Sequence, residues 1–280
     1  TSSDNCTGDT IVTTHASGTT FGVGTTTVMV TATDAANNTT AATFSVTVQD
    51  TEAPTLTNMP GDTTLTNDTG VCGAGLTWSD PTANDNCTVD TLFSDIDSGH
   101  IFPIGSTTVT YRAEDEAGNF VTDSFTVTVN DLEDPVLAGI PSDTTMSTDA
   151  NLCSALLTWA APSSSDNCPG ESLTSTHASG FAFPVGTTAV TFESIDASGN
   201  AVTDSMIVTV NDGQAPAIAG MPTDTTLTTD TDACTAVLNW TAPTSSDNCP
   251  GDTLAWTHGP GTAFSLGTTT VTYTATDAAG

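Results

Sequence analysis

The sequence predicts an all-β protein built of tandem β-sandwich domains that repeat every 81 residues. Three observations predict this fold class: motifs recur at one constant spacing, short segments alternate apolar and polar residues, and no segment sustains a helical period. Units of this length, with short strands and frequent turns, are typical of immunoglobulin-type sandwiches, which we expect in a linear array.

The repeat is carried by cysteine and tryptophan positions that keep a single spacing. The tripeptide Asp-Asn-Cys occurs four times, and a first cysteine and a tryptophan precede it in three of the units. The three sets are the Asp-Asn-Cys cysteines Cys6, Cys87, Cys168 and Cys249, the first cysteines Cys72, Cys153 and Cys234, and the tryptophans Trp78, Trp159 and Trp240. Because no insertion or deletion interrupts the step, each set is one structural position seen several times.

Strands and hairpins are predicted within each unit. Phe44–Val48 and Phe125–Val129 alternate apolar and polar residues, which is the period of a half-buried strand. The segments Thr107–Ala113 and Phe120–Val129 flank a Gly-Asn pair and predict a hairpin. In the first unit Asn-Asn stands in place of Gly-Asn, so we expect the tip of that hairpin to differ.

Short acidic segments that end in proline join the units, at residues 48–54, 129–135 and 210–216. Their length and their prolines predict stiff joints. We therefore expect a partial unit at 1–51, complete units at 52–132 and 133–213, and a unit without its last strand at 214–280. The chain is expected to sample a longer tandem array.

The charge balance restricts the possible partners. There are 33 acidic residues and one basic residue, Arg112, for a formal net charge of -32. Nucleic acid and anionic membrane surfaces are poor partners, because both require Lys or Arg to neutralise phosphate. No apolar run is long enough to insert into a membrane. Cations are the favoured partners.

The order of these motifs resembles the hyalin repeat, or HYR, family. The order is Cys, Thr-Trp, Asp-Asn-Cys, Phe-Pro-Val-Gly-Thr-Thr, Asp-Ala-Ser-Gly-Asn and Val-Thr-Val-Asn-Asp. The sequence is particularly similar to tandem versions in secreted proteins of Bacteroidota and related bacteria. The resemblance implies an immunoglobulin-like fold, an extracellular or cell-surface location, and a role in adhesion or surface structure. It does not imply an enzyme.

Two cysteines in each unit and the lack of a Cys-x-x-Cys motif favour disulfides in an oxidising compartment. Pairing within a unit closes 15-residue loops and lets each sandwich fold by itself, so we prefer it to pairing across joints such as Cys87–Cys153. The preferred bonds are Cys72–Cys87, Cys153–Cys168 and Cys234–Cys249. Cys6 would then need a partner upstream of Thr1. A zinc site is not predicted, because two thiols per unit without a phased histidine beside them do not make a tetrahedral set. A catalytic thiol is not predicted either, because no base is phased beside it.

Acidic residues are predicted to gather at each joint. In an immunoglobulin-type sandwich the Asp-Asn-Cys loop and the last hairpin tip lie where the chain enters, beside the preceding linker. The candidate ligands are Asp50, Glu52, Asp131, Glu133, Asp134 and Asp212 in the linkers, Asp85, Asp166 and Asp247 in the Asp-Asn-Cys loops, and Asp115, Asp196 and Asp277 at the hairpin tips. Such oxygen ligands suit a structural Ca²⁺. The alternative is that Asp and Asn are simply good turn formers.

Other phased residues have simpler interpretations. His15, His177 and His258 share a position that Ile96 fills in the second unit, which favours packing over metal binding. The phased tryptophans are expected in the core, whereas Trp256 is unphased. Several Asp-Thr pairs resemble the O-glycosylation signal of exported Bacteroidota proteins. Their threonines are Thr10, Thr63, Thr91, Thr144, Thr225 and Thr253.

The leading functional prediction is a non-catalytic extracellular structural protein on or outside a bacterial cell. Its tandem units would form a rod or a fibre that assembles with itself, either by continuation of the array or by exchange of strands between copies. One alternative is an adhesin whose hairpin tips or Trp256 contact surface glycans. Another is a set of accessory repeats on a large secreted enzyme.

Overall fold

The computed structural model describes residues 1–280 except Asp4, Cys6 and Gly280. The described residues form strands and turns, with no helix among them, so the predicted all-β class is confirmed. The chain divides into two compact units, Thr1–Asp131 and Leu132–Gly280, which are described separately.

The first unit contains repeats 1 and 2. The strands of repeat 1 are β1 (Thr10–Thr13), β2 (Gly24–Thr33) and β3 (Thr39–Val48). Those of repeat 2 are β4 (Thr55–Thr57), β5 (Thr63–Thr66), β6 (Gly73–Gly75), β7 (Thr82–Asn84), β8 (Val89–Ser94), β9 (Ile101–Pro103), β10 (Gly105–Asp115) and β11 (Phe120–Asn130).

Repeat 2 is organised around the long hairpin β10–β11, which the sequence predicted. Its register runs from Gly105 opposite Val129 to Glu114 opposite Phe120. The sheet order is β5-β11-β10-β8, and the short pairs β4-β7 and β6-β9 complete the repeat. Strand β5 lies parallel to the end of β11, which places Thr66 opposite Asn130. The chain between β5 and β6 therefore lies at the end of the sandwich from which the chain leaves, here called the exit end.

The core of repeat 2 comes from the alternation in β11. Phe125 and every second residue after it point inward, and Phe125 is 2% exposed. Trp78 packs its ring against Phe125 with 5.4 Å between centroids. The indole Nε1–H of Trp78 donates to the hydroxyl of Tyr111 at 2.7 Å, and Tyr111 donates to Asp80 Oδ1 at 2.6 Å. The core position predicted for this tryptophan is confirmed.

The second unit contains repeats 3 and 4. The strands of repeat 3 are β12 (Val136–Ala138), β13 (Thr144–Ser147), β14 (Ser154–Leu157), β15 (Ser163–Ser165), β16 (Ser172–Ser175), β17 (Phe181–Pro184), β18 (Gly186–Ile195) and β19 (Ala201–Asn211). Those of repeat 4 are β20 (Ala217–Ala219), β21 (Thr235–Val237), β22 (Thr244–Ser246), β23 (Thr253–Trp256), β24 (Ala263–Ser265) and β25 (Tyr273–Thr276).

Repeat 3 repeats the architecture of repeat 2, with sheet order β13-β19-β18-β16 and the pairs β12-β15 and β14-β17. Ser147 lies opposite Asn211 at the exit end. Ser165 lies opposite Val136, where the chain enters the sandwich, which we call the entrance end. Repeat 4 contributes the three short pairs β20-β22, β21-β24 and β23-β25.

Repeat 1 differs from the sequence prediction in the burial of β3. Phe44 is 55% exposed, although Phe125 at the same repeat position is almost fully buried. Residues 1–48 correspond to the second part of the repeat, and the strands that cover Phe125 have no counterpart among them. The half-buried strand predicted at Phe44–Val48 is therefore exposed at Phe44.

The expectation that the Asn-Asn hairpin tip would differ is wrong. Asn37 takes a left-handed backbone conformation (φ +66°) where Gly118 has φ +87° in repeat 2. Asn38 donates from its backbone N–H and its side chain to Asp34, both at 2.8 Å, just as Asn119 does to Asp115. Asparagine tolerates this conformation better than most residues, so the tip keeps its geometry.

Candidate cation sites and disulfides at the repeat joints

The two cysteine sets lie at opposite ends of a sandwich. In repeat 3 the first cysteine, Cys153, follows β13, which ends at the exit end opposite Asn211. Cys168 follows β15, whose last residue Ser165 pairs with Val136 at the entrance end. At the joint between repeats 3 and 4, a short linker therefore brings the first cysteine of repeat 3 to the Asp-Asn-Cys loop of repeat 4.

The structure contains this bond between repeats 3 and 4. Cys153 and Cys249 form a disulfide with Cα atoms 4.7 Å apart and a sequence separation of 96. The predicted bonds Cys153–Cys168 and Cys234–Cys249 are therefore wrong. The prediction weighed the length of each loop and missed that the paired strands send the two cysteines of a repeat to opposite ends.

The remaining cysteines follow the same division. Cys72 and Cys168 are disulfide-bonded, whereas Cys87 and Cys234 are free and exposed. The predicted bond Cys72–Cys87 is thus also wrong, because Cys87 is a thiol. Cys6 lies outside the described residues.

Two carboxylates and one sulfur converge at the joint between repeats 3 and 4. One oxygen of Asp212 in the linker, one of Asp247 in the Asp-Asn-Cys loop and the Sγ of Cys249 all lie within 4.8 Å of one another. The same arrangement occurs at the joint between repeats 1 and 2, formed by Asp50, Asp85 and Cys87.

In the three Asp-Asn-Cys loops that the structure describes, one oxygen of the aspartate is buried without a hydrogen-bond partner among the described residues. These atoms are the Oδ1 atoms of Asp85, Asp166 and Asp247. The other oxygen accepts a hydrogen bond from the backbone N–H of the cysteine two residues later, at 2.8 Å for Asp85, 2.9 Å for Asp166 and 3.0 Å for Asp247. This turn holds each of the three carboxylates so that one oxygen faces away from solvent and accepts no hydrogen bond from the described residues.

Asn248 joins repeats 3 and 4, and the sequence reasoning did not single it out. Its Nδ2 donates to the carbonyl of Leu152 at 2.8 Å and lies 3.4 Å from both Thr148 Oγ1 and Asp212 Oδ1. Its Oδ1 is buried and, among the described residues, has no hydrogen-bond partner. The available signal was its place in the repeated Asp-Asn-Cys tripeptide.

The hairpin-tip aspartates accept hydrogen bonds within their own turns, and their role as metal ligands stays a prediction. Asp196 is buried, and its Oδ1 accepts from the backbone N–H groups of Ser198, Gly199 and Asn200 at 2.6–2.9 Å. Its Oδ2 accepts from the side chain of Asn200 at 2.7 Å. Burial raises the pKa of Asp196, but these hydrogen bonds outweigh burial, so its pKa is lowered overall.

Asp115 is held in the same way by Asn119. Both hairpin aspartates therefore shape a turn. Several of the predicted acidic ligands lie outside the clusters of possible metal ligands found among the described residues. These are Glu52, Asp115, Glu133, Asp134, Asp196 and Asp277. Asp131 is buried and occupies the linker position of Asp50 and Asp212.

The thiol of Cys87 is held in its protonated form. A hydrogen bond with Asp50 raises the pKa of Cys87 to about 11, and burial and the charges of Asp50, Asp85 and Asp115 act in the same direction. Deprotonation would place a thiolate beside carboxylates, which opposes it.

Cys87 should therefore react slowly with iodoacetamide. A pKa two units above the ordinary value leaves about a hundredfold less thiolate near pH 8, and the greater nucleophilicity of the remaining thiolate recovers about tenfold. We expect alkylation about tenfold slower than at an ordinary thiol, with a rate that keeps rising until about pH 11. Asp50→Asn should accelerate it, as followed by mass mapping. Cys234 in the same chain is the control, and a Cys87 rate that is insensitive to Asp50→Asn would contradict the assignment.

The phased histidines pack against aromatic rings, and two aspartates of the phased Asp-Thr pairs accept backbone hydrogen bonds. His177 stacks edge-on against Phe181 with centroids 4.6 Å apart, and Ile96 packs on the core of repeat 2, so the packing interpretation is confirmed. Asp62 and Asp143 accept from the backbone N–H groups of Thr126 and Ile207, at 2.7 and 2.8 Å, which accounts structurally for two phased Asp-Thr pairs. O-glycosylation of the Asp-Thr threonines stays a prediction.

Comparison with known proteins agrees with this organisation. A family model described as HYR domain matches residues 1–48, 49–129, 130–210 and 211–280. Hyalin from Lytechinus variegatus is 34% identical over 282 residues, which cover 97% of this chain and 53% of that protein. Hyalin from Strongylocentrotus purpuratus is 33% identical over 270 residues, covering 93% of this chain and 22% of that protein. The chain thus spans about half of the first relative and less than a quarter of the second.

Among solved structures, the extracellular cadherin domains 1-5 of Protocadherin Gamma B2 match at a TM-score of 0.28 and 15% identity, over 69% of this chain and 47% of that chain. This likeness is too low to carry an argument. Among the described residues, no helix is long and apolar enough to cross a membrane.

These matches confirm the predicted extracellular or cell-surface location. The bacterial source stays a prediction. Four matched segments together span residues 1–280, and the chain therefore belongs to the HYR domain family.

Proposed function

We propose that the chain is a non-catalytic structural segment of an extracellular adhesion-type protein whose repeat joints are stiffened by Ca²⁺. The observation that carries this proposal is the buried, unpartnered Oδ1 of the Asp-Asn-Cys aspartate, present in all three described copies. A buried oxygen without a hydrogen bond is costly, and a second carboxylate within 4.8 Å adds repulsion. A bound cation would remove both costs.

The donor set favours a hard cation. At the joint between repeats 3 and 4 the sulfur of Cys249 is already in a disulfide, so it offers no thiolate to a soft metal. The donors that remain are oxygens of Asp212, Asp247 and Asn248, and such ligands suit Ca²⁺.

The protein itself supplies almost no positive charge to neutralise these joints. Its one basic residue, Arg112, is paired with Glu114 at 2.8 Å and lies over the ring of Phe120. Compensation of the acidic joints must therefore come from ions in solution.

Calcium titration tests this proposal. With Ca²⁺ at about a hundred times its Kd, each occupied joint should gain about 2.7 kcal/mol, and chelation should lower the melting midpoint. Asp247→Asn should remove the site between repeats 3 and 4 in a calorimetric titration, whereas Asp224→Asn at an exposed position should leave binding unchanged. An identical melting curve with and without chelator would exclude calcium at the joints.

We further propose that the partner of the chain is a second copy of itself, in a rod or fibre whose stiffness follows from the joints. The support for this step is the tandem organisation and the covalent link between repeats 3 and 4. Electron microscopy in Ca²⁺ should show extended particles with regular contacts. Compact, unassociated particles under the same conditions would contradict the fibre.

A glycan-binding adhesin is the second candidate, and one observation favours it. Trp256 at the end of β23 is 53% exposed, with Tyr273 beside it at 6.2 Å between ring centroids. An exposed indole ring such as that of Trp256 can stack on a sugar ring. Binding on a glycan array that Trp256→Ala abolishes would support this role.

A further inference from the structure

The disulfide between repeats 3 and 4 lies directly beside the side chains that were proposed as calcium ligands. Cys249 ends the Asp-Asn-Cys tripeptide, so the bond joins the turn of Asp247 to the loop that ends in Cys153. The backbone N–H of Cys249 donates to Asp247 Oδ2 at 3.0 Å. Its Sγ lies within 4.8 Å of one oxygen of Asp247 and one of Asp212. The covalent bond and the candidate site therefore share one turn of the chain.

The loop that ends in Cys153 also orients Asn248. The Nδ2 of Asn248 donates to the carbonyl of Leu152, next to Cys153, at 2.8 Å. The same nitrogen lies 3.4 Å from Thr148 Oγ1, at the start of this loop. Because the nitrogen and the oxygen belong to one planar amide, these contacts also fix the direction of Oδ1, which is buried and without a hydrogen-bond partner among the described residues. The loop thus determines where this candidate oxygen ligand points.

A second candidate ligand, the linker carboxylate of Asp212, contacts the same loop. Its Oδ1 accepts from Thr148 Oγ1 at 3.5 Å and lies 3.4 Å from Asn248 Nδ2. Another contact holds the loop without involving a candidate ligand: the backbone N–H of Asn151 donates to Gln214 Oε1 at 3.1 Å. Two of the three candidate ligands therefore depend on the position of this loop, whereas the side chain of Gln214 only holds it.

We propose that the Cys153–Cys249 disulfide positions the ligands of the cation site between repeats 3 and 4, so that its reduction weakens calcium binding and bound calcium opposes its reduction. This coupling rests on the calcium site proposed above. A dithiol supplies two electrons and two protons, the sulfur–sulfur bond breaks into two thiols, and the reductant closes its own disulfide. The released loop no longer holds Asn248 and Asp212. Groups that orient metal ligands typically change metal affinity by about 10–100-fold, and coupling between two binding or redox equilibria is reciprocal.

A redox titration with and without Ca²⁺ measures the coupling. The full chain is equilibrated in mixtures of reduced and oxidised dithiothreitol, with saturating Ca²⁺ or with chelator. Alkylation and peptide mapping then give the reduced fraction of Cys153 and Cys249. We expect Ca²⁺ to bind about tenfold more weakly to the reduced joint, which lowers the midpoint potential of the bond by about 30 mV for a two-electron couple. An unchanged midpoint would overturn the proposal.

Two variants that keep both sulfurs test whether the coupling passes through Asn248. Asn248→Ala should weaken calcium binding to the oxidised chain about tenfold in a calorimetric titration, and the shift in midpoint should largely disappear. Gln214→Ala is the matched control, because it removes the contact with Asn151 but keeps the backbone N–H that donates to Asp212, and it should retain the full shift. A full shift in Asn248→Ala would overturn the proposal, because calcium would then protect the bond only by stabilising the folded repeats.

Calorimetry of the oxidised parent chain separates this coupling from the calcium site itself. Calcium binding together with a midpoint that does not respond to calcium would overturn the coupling and leave the calcium site standing. Failure of the oxidised parent chain to bind Ca²⁺ would overturn both.

Discussion

Removal of the Cys153–Cys249 disulfide is expected to destabilise repeats 3 and 4 by about 4–5 kcal/mol, the chain-entropy value for a loop of this length. The bond closes a 96-residue loop that includes most of both repeats and their joint. Without it the unfolded chain gains a large number of conformations, and the folded joint retains noncovalent contacts such as those of Asn248 and Asp212.

Repeat 4 should lose the most. Repeat 3 has a cluster of seven buried apolar residues, whereas the buried apolar side chains described in repeat 4 are Ala236, Cys249 and Tyr273. Its strands are also short pairs of three or four residues. Repeat 4 therefore depends on its covalent attachment more than repeat 3 does.

The measurement is denaturant unfolding and amide hydrogen exchange of Cys153→Ser/Cys249→Ser against the parent chain. The matched control is Cys87→Ser/Cys234→Ser, which also removes two sulfurs but breaks no bond. Equal stability of the two double variants would show that the disulfide contributes nothing. Loss of protection in repeat 3 before repeat 4 would contradict the division between them.

Phe183→Ala is expected to cost repeat 3 about 3–5 kcal/mol, the range for removing a fully buried aromatic ring. Phe183 has no exposed surface and contacts the rings of Phe181 and Trp159, at 5.0 and 6.3 Å between centroids. The loss combines transfer of the ring to water with a cavity between strands that a sandwich cannot easily close.

Leu156→Ala is the matched control, because Leu156 lies on the paired strand β14 but is 54% exposed. It should change the free energy of unfolding by no more than about 0.5 kcal/mol. Urea unfolding of both variants measures the difference. If Leu156→Ala lowered the free energy of unfolding as much as Phe183→Ala, the inward face of the strands would have been misassigned.

The sequence was sufficient for the repeat, the hairpins and the core, because each depends on local periodicity or on turn residues. The alternation from Phe125 to Val129 specifies a face, and the Gly-Asn pair specifies a turn. The disulfides could not be found in this way. Their partners depend on β13 lying parallel to the end of β19, and parallel pairing between distant segments leaves no periodic signal.

The sequence predicted only part of the candidate site, because residue type does not show which role a carboxylate has in the fold. Linker and loop aspartates such as Asp212 and Asp247 were expected to meet, and they do. Asp196 was assigned to the same site, but its neighbours Gly199 and Asn200 make it the acceptor of a turn. Residue type alone does not distinguish a carboxylate that closes a turn from one that faces a joint.

The disulfide between repeats 3 and 4 also determines how the chain would respond to tension. A pulling force that reaches Cys153 passes through the sulfur–sulfur bond to Cys249 and bypasses the residues between them. The sequence separation of 96 corresponds to a little over 300 Å of extended chain at roughly 3.3–3.6 Å per residue, and the bond prevents this segment from extending. Reduction of the bond would allow the segment between Cys153 and Cys249 to extend under force. The oxidation state of this one disulfide therefore determines how far this part of the molecule can be stretched.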